Sequence, residues 1–382
     1  MINYNLKGID MNRKNFMKTL ATATASTVVG SGVMLGNSLT PTENAPKSNS
    51  VFIPSSHRIK RGVTLYSYQL SLKYRVLTLE ECLEEMANIG AYGLEAIGQA
   101  VIEGYPNPSN RFVDHWWQMI NKYGIKPACY TYFHDKYFQK TPLSYDEMTE
   151  YLVTIFQLGK KFGFNYFRML PGAPIPMVEK AIPYAEKLGV WMGLEIHVPM
   201  NLKGKLIEKY VSLAEKHPDT IGFIPDFGIF SKYPRPYTRD KQIEKGVLTR
   251  EAAFYIEDAY KKGTAKDVVL KAINRMKPKD GDIKYIDTVF SSGDNCRNPK
   301  DLLPLLPFCK HVHAKFNEMT KGDEFKDTQI IYEEIIPVLI QGGFDGYLCS
   351  EYEGQRVVEI QDLDEIDEVR RQHVMLKRML GS

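Results

Sequence analysis

From Ile59 onward the chain repeats one unit eight times: a short, largely apolar run followed by a stretch of helical periodicity. The runs are "GVTLYSYQ" (62–69), "YGLEAIG" (92–98), "KPACYTYF" (126–133), "YFRML" (166–170), "VWMGLEIHVP" (190–199), "IGFIPDFG" (221–228), "CKHVHAKF" (309–316) and "GYLCSEYEG" (346–354). Near-continuous apolar runs suit parallel strands buried on both faces, and parallel strands need a crossover between them. Segments 78–90, 113–124, 144–163, 176–189, 205–217, 330–341 and 364–380 supply helices for it. Thr78 with Glu81 makes a capping box, and Gly90 and Gly124 stand where helices stop. Eight such units predict an α/β fold, a (β/α)8 TIM barrel. An open doubly wound sheet is the rival, and the first strand lacks the GxGxxG of a dinucleotide fold.

The alternation is interrupted between strands six and seven. Residues 231–300 are too long for a plain connection, and contain "REAAFYIEDAYKKG" and "TAKDVVLKAINRMKP", both helical in pattern, and the polar "FSSGDNCRNPKD". An insertion beside the barrel mouth is expected there, as lid or partner surface. Residues 1–35 read as an export signal: "MNRKNFMK" and then an uncharged stretch rich in Thr, Ala, Ser and Gly. It is similar to a twin-arginine signal, although Lys14 stands where the second arginine belongs. Its apolar stretch is too polar for a stable membrane span. Residues 36–58, rich in Pro, Ser and Asn, read as a linker, and 59–382 as the barrel domain with its insertion. The expected location is outside the cytoplasm, in the periplasm, or cytoplasmic if the N-terminal segment is not a signal.

The 49 basic and 46 acidic residues leave a net charge of +3, which gives no electrostatic footprint for nucleic acid. The 5 cysteines include no CxxC pair, so buried free thiols are expected rather than a zinc cluster or disulfide framework. Trp116, Trp117 and Tyr123 lie on one helix and read as packing between helix and barrel.

Polar residues at the strand ends carry the functional information. Period two puts Trp191, Gly193, Glu195 and His197 on one face of the fifth strand, opposite Leu194, Ile196 and Val198. In a barrel, Glu195, Asp226, His313 and Glu351 fall at the C-terminal ends of strands five to eight, where barrel active sites lie. Three carboxylates converging in a confined site repel unless something neutralises them. One divalent cation would do so, and this donor set suits Mn²⁺, with Mg²⁺, Co²⁺ or Zn²⁺ as alternatives. His311 shares a face with His313 and competes for the ligand role. His197, His134, Arg168, Lys315 and Glu95 are the further strand-end groups expected to meet substrate, against the plainer alternative of rim or ion-pair residues.

The motifs "GLEIHVP", "FIPDFG", "HVHAKF" and "LCSEYEG" resemble those of the xylose isomerase-like barrel superfamily of sugar isomerases, epimerases and inosose dehydratases, over nearly all of the chain after the linker. The resemblance implies that Glu195 and Glu351 bind metal and act as the acid/base pair, with Asp226 and His313 as further ligands. The family's VHxK pattern selects His313 over His311. Epimerases often place a substrate-binding histidine three residues after the aspartate, and Ile229 stands there instead. Within the superfamily, "LEIHVP", "GFIPDFGIF" and "GYPNPS" are most similar to C-glycoside deglycosidase catalytic subunits. That branch implies proton removal from C2 of a 3-oxo-glycoside and expulsion of the aglycone from C1. The expected activity is therefore metal-dependent β-elimination from a 3-oxo-glycoside. Isomerisation or epimerisation of a free ketose or aldose, and a non-catalytic sugar-binding barrel, are the alternatives. The expected partners are a small-molecule sugar or glycoside, and a small second subunit or a second copy of the chain.

Overall fold

The computed structural model describes residues 59–132, 143–322 and 324–381. The eight strands are β1 (Lys60–Thr64), β2 (Gly93–Ile97), β3 (Lys126–Thr131), β4 (Tyr166–Met169), β5 (Trp191–Ile196), β6 (Ile221–Pro225), β7 (His311–Phe316) and β8 (Tyr347–Tyr352). They form one sheet in the order β6-β5-β4-β3-β2-β1-β8-β7, parallel at every pairing. Parallel bridges from Phe223 to Cys309 and from Asp226 to His313 join its two outer strands and close the ring. The fold is a TIM barrel with helices packed around it. The expected signal and linker, residues 1–58, and His134 lie outside the described residues.

Alternation along each strand builds two cores. Outward residues such as Leu194, Ile196, Val312, Ala314 and Leu348 join the large apolar layer between strands and helices. Inward, Trp191, Cys129 and Ile224 meet in the barrel with Tyr166 against them. Gly193 makes room for this plug, because a Cβ there would collide with the Trp191 indole and with Ile224. Helix ends follow local chemistry. Thr78 Oγ1 accepts from Glu81 N at 3.2 Å, and Glu81 Oε2 accepts from Thr78 N at 2.7 Å, starting the helix Leu79–Asn88. The helices Asn110–Tyr123 and Ile175–Leu188 end at Gly124 and Gly189, both in the left-handed region.

Three expectations change. The first apolar run leaves the strand at Thr64 and turns into a 3-10 segment, Leu65–Tyr68, and a short helix, Gln69–Lys73. Ser67 forces that turn by accepting from Tyr352 N at 2.9 Å while donating to Ser350 O at 3.0 Å. Segment 231–300 carries four helices among the described residues, Pro236–Glu244, Arg250–Lys261, Lys266–Arg275 and Asp280–Ser291, where two were expected. The first buries no residue and so shows no apolar period. The last starts on "DGD", whose Asp282 is buried and accepts from Thr249 N at 2.7 Å and Lys279 N at 2.9 Å. Leu248, Ile256, Val269, Ile273 and Ile286 give these helices an apolar core of their own. Finally, Trp117 is 36% exposed and donates to Lys161 O, while Trp116 is fully buried.

The plug leads to a stability prediction. Gly193→Ala should destabilise the barrel by about 1–3 kcal/mol, the usual range for overpacking a full core. Urea unfolding would measure it, and an unchanged midpoint would mean that the indole can retreat.

Candidate active site

Three strands each send a ladder of alternate residues into the barrel. On β7, Val312, Ala314 and Phe316 pack outward, which turns His311, His313 and Lys315 inward in sequence toward the mouth. Gly193 and Glu195 do the same on β5, with His197 one residue past it, and Cys349 and Glu351 on β8, with Glu353 one residue past it. Asp226 follows β6 directly, where its Oδ1 accepts from Gly228 N at 2.7 Å and its Oδ2 turns to the centre, accepting from Lys315 Nζ at 3.2 Å. His313 lies in mid-strand on β7, not at its end, and is brought level with Asp226 by the parallel bridge between the two, while Lys315 stands opposite Glu351.

The four residues meet at one point. His313 Nδ1 lies 3.2 Å from Glu195 Oε1, 3.3 Å from Glu351 Oε2 and 3.8 Å from Asp226 Oδ2. It is buried and makes no hydrogen bond with any of them, and Glu351 Oε2 is likewise without a hydrogen-bond partner. One ligand atom from each of the four lies within 4.8 Å of the other three. A nitrogen lone pair and three carboxylate oxygens aimed at a common centre fit a hard or borderline divalent cation.

The other edge of the His313 ring explains why Nδ1 is available. Its Nε2 lies 2.9 Å from Glu95 Oε2, a hydrogen-bond length, so Nε2 donates there and Nδ1 is the atom turned to the carboxylates. Burial alone would lower the imidazole, but Glu95 and Glu351 outweigh it and raise it well above its ordinary value, so a bound cation would take the place of the Nδ1 proton. Glu95 is held in turn by His311 Nε2 at 2.7 Å and by Thr131 Oγ1 at 2.5 Å. Burial by itself would raise the Glu95 carboxyl, but His313 and His311 outweigh it and hold it well below the usual carboxylate range. Glu95 therefore does not meet substrate as expected; it sits fully buried, orienting His313. His311 is occupied with Glu95 and stands outside the carboxylate group.

Two cations compensate the acidic cluster from its sides. Arg168 Nη2 is 3.2 Å from Glu195 Oε2, while Nη1 is 3.8 Å from Glu351 Oε1 and 3.9 Å from Glu95 Oε1. Lys315 Nζ is 3.2 Å from Asp226 Oδ2, 3.7 Å from Glu351 Oε2 and 3.1 Å from Glu353 Oε2. Burial raises Glu195, yet Arg168 and then His313 bring it below its ordinary value. Burial also raises Glu351, and His313 with Lys315 pulls it well below. Asp226 goes the other way: burial dominates and keeps its carboxyl high, despite Lys315. Glu95, Glu195, Asp226 and Glu351 thus put four buried carboxylates against two buried cations, Arg168 and Lys315.

His197 lies just past β5. Its Nδ1 is 2.8 Å from Val198 O, which can only accept, so Nε2 accepts from Lys315 Nζ at 2.9 Å. It is partly exposed at the mouth, above the carboxylates. Glu353 and Thr131 belong to the same network, although their motifs did not single them out. Glu353 had a signal, since it stands two residues after Glu351 on the same strand face. Thr131 had none, because only the barrel brings β3 beside Glu95.

Comparison with known proteins agrees with this architecture. No protein-family model matches the chain. Over 339 residues it is 26% identical to the 3'-dehydrocarminate deglycosidase alpha subunit of Microbacterium sp, covering 84% of this chain and 95% of that protein. Over 333 residues it is 24% identical to a C-glycoside deglycosidase alpha subunit of Arthrobacter globiformis, covering 84% of this chain and 92% of that one. In fold it resembles a sugar phosphate isomerase/epimerase from Parabacteroides distasonis, with a TM-score of 0.51, 13% identity, 87% of this chain covered and 98% of that one. A xylose isomerase domain protein from Alicyclobacillus acidocaldarius gives a TM-score of 0.51 at 11% identity, covering 85% and 98%. The fold is that of the xylose isomerase-like barrels. No helix among the described residues is long and apolar enough to cross a membrane.

The geometry leads to a prediction about metal binding. The purified protein should hold about one divalent ion per chain by elemental analysis, and Asp226→Ala should lower that occupancy. Glu95→Gln removes the charged acceptor behind His313 without touching the four converging atoms. It should weaken metal affinity about 10–100-fold, the usual effect of such outer partners, in a competition titration with a chromophoric chelator. Unchanged affinity would show that Glu95 does not orient the imidazole.

Proposed function

We propose that this carbohydrate-processing enzyme, a xylose isomerase-like barrel similar along most of its length to C-glycoside deglycosidase alpha subunits, cleaves 3-oxo-glycosides by β-elimination. One observation carries the reading. Glu195 and Glu351 reach the same imidazole nitrogen from β5 and β8, at 3.2 and 3.3 Å, each with a buried cation within 4 Å keeping it ionised. Fixed, ionised carboxylates are what removal of a proton next to a carbonyl requires. Glu195, Asp226, His313 and Glu351 would hold the divalent ion, with Mn²⁺ favoured and Mg²⁺, Co²⁺ or Zn²⁺ compatible with the same donors. When bound, it would supply Lewis-acid polarisation of the C3 carbonyl oxygen.

One glutamate takes the proton from C2 of the sugar. The electron pair left behind forms the C1–C2 double bond as the bond from C1 to the aglycone breaks, and its electrons leave with the aglycone. The other glutamate, or a water it orients, returns a proton to the departing group. Lys315 and His197, paired at the mouth, would contact the sugar's hydroxyls, and Arg168 would keep Glu195 in its basic form. The same pair of glutamates would serve a proton shuttle in a free ketose or aldose, so the substrate decides between elimination and isomerisation. The alpha-subunit names of the relatives support a second subunit as partner.

Glu195→Gln and Glu351→Gln test the acid/base roles. Each amide keeps an oxygen that can ligate and loses the ability to take a proton. Each variant should lose roughly 10²-fold or more in turnover of a 3-oxo-glucoside, with the ion retained. Deuterium uptake at C2 in D₂O then identifies the initiating base as the residue left intact in the variant that still exchanges. Near-native turnover in both variants would reduce the two glutamates to ligands.

The N-terminal pattern supports export of the folded chain. The mature protein should begin between Gly36 and Ser56, as N-terminal sequencing of secreted material would read. Recovery of the chain from the cytoplasm with Met1 or Met11 in place would contradict it.

A further inference from the structure

Lys315 stands at the edge of the cation site rather than outside it. The two oxygens it approaches on the inner side, Asp226 Oδ2 at 3.2 Å and Glu351 Oε2 at 3.7 Å, are those that lie 3.8 and 3.3 Å from His313 Nδ1. The ammonium and an ion at that point would draw on the same negative charge, and two cations around one oxygen repel. A lysine ammonium has three N–H donors on a flexible stem. Here they have three acceptors at hydrogen-bond distance: His197 Nε2 at 2.9 Å, Glu353 Oε2 at 3.1 Å and Asp226 Oδ2 at 3.2 Å. His197 and Glu353 each stand one residue past a strand, toward the mouth, and only Asp226 belongs to the four converging residues.

Glu353 is placed to receive that charge. Its N–H donates to Phe316 O at 2.9 Å, which sets it beside the end of β7, one residue from Lys315. Its Oε1 accepts from Arg356 Nη1 at 3.1 Å, leaving Oε2 for the lysine. The Glu353 side chain is 16% exposed, so water and salt screen its charge only in part. His197 cannot do this alone, because its accepting ring nitrogen carries no negative charge to balance an ammonium. We propose that Glu353 is a positioning residue for the cation site. As Asp226 Oδ2 and Glu351 Oε2 turn to an ion, Glu353 keeps the Lys315 ammonium at the mouth, paired beside His197. The inference rests on the four residues holding a divalent ion, and it adds what keeps Lys315 from opposing that ion. It does not depend on which glycoside is turned over.

The test is Mn²⁺ affinity, read by competition with a chromophoric chelator, in the native protein, Glu353→Gln, Lys315→Met and the double variant. Thermal unfolding checks that each folds. Glu353→Gln should weaken binding about 10–100-fold, the range for groups that stand behind a ligand, because the ammonium then stays on Asp226. Lys315→Met removes the competitor and should tighten binding at least about fivefold. Adding Glu353→Gln to Lys315→Met should then change the affinity by no more than about twofold, since the glutamate acts through the lysine. An equal loss from Glu353→Gln with and without Lys315 would reduce Glu353 to a distant negative charge and overturn the inference. Weaker binding in Lys315→Met would also overturn it, by making the lysine a support of the ligands. Should Lys315→Met fail to fold, Glu353→Asp takes its place: the charge is kept but drawn back from Nζ by one methylene. Affinity should again fall, and an unchanged value would overturn the inference. A native protein that binds no Mn²⁺ would sink the cation site itself, and the role of Glu353 with it.

Discussion

The centre of this barrel depends on how its buried negative charge is met. Glu95, Glu195, Asp226 and Glu351 are nearly inaccessible to water, and an unpaired ion in such a place costs several kcal/mol. Arg168 covers the side of Glu195 and Glu95, and Lys315 the side of Asp226 and Glu353. Between them lies the point faced by His313 Nδ1, where three carboxylate oxygens approach, two of them also within 4 Å of Lys315 Nζ. The two fixed cations leave room for one divalent ion, and with His313 they hold Glu195 and Glu351 in their ionised forms beside it.

That arrangement is rigid because it stands on strands. Beneath it, Trp191, Cys129 and Ile224 fill the barrel, with Gly193 shaped to admit the indole. Above this plug, Glu95 is fixed by His311 and Thr131 and locks one edge of the His313 ring. Groups held by packed neighbours and outer hydrogen bonds keep their geometry when a ligand arrives. The ligand-bearing residues also sit on four consecutive elements, so their spacing is set by barrel closure and not by flexible turns.

The mouth is braced by the segment between β6 and β7. Arg297 donates from its guanidinium to Pro199 O at 3.0 Å and Met200 O at 3.3 Å, steadying the turn that carries His197. Arg235 reaches Asn317 Oδ1 at 2.6 Å, and Tyr237 N donates to Glu318 Oε2 at 2.9 Å, past the end of β7. Lys241 pairs with Asp362 at 2.9 Å, in the connection after β8. One segment thus touches the turns after β5, β7 and β8. On the other side of the mouth, the β1 turn is sewn to β8 through Ser67. The mouth is therefore attached to the strand that bears Glu351, and to the connection after it, from both directions.

Much of this could be read from the chain. Period two put Glu195 and His197 on one face of β5 and His311 and His313 on one face of β7, and it would have added Glu353 by the same rule. The eightfold alternation gave the barrel, and the barrel gave the convergence of Glu195, Asp226, His313 and Glu351. The helix Pro236–Glu244 buries no residue and had no apolar period to show, while Asp280–Ser291 was hidden by its polar start, although Tyr285, Ile286 and Val289 give it an apolar face. Glu95 looked like a substrate group because its strand position resembles that of the others. Only the closed ring, which sets β2 across from β7, reveals that its oxygens belong to His311 and His313. A sequence fixes which residues share a face, because that depends on local backbone geometry. Which faces meet, and hence which acid orients the imidazole and which are left to bind a cation, is decided by distances across the barrel that no local pattern contains.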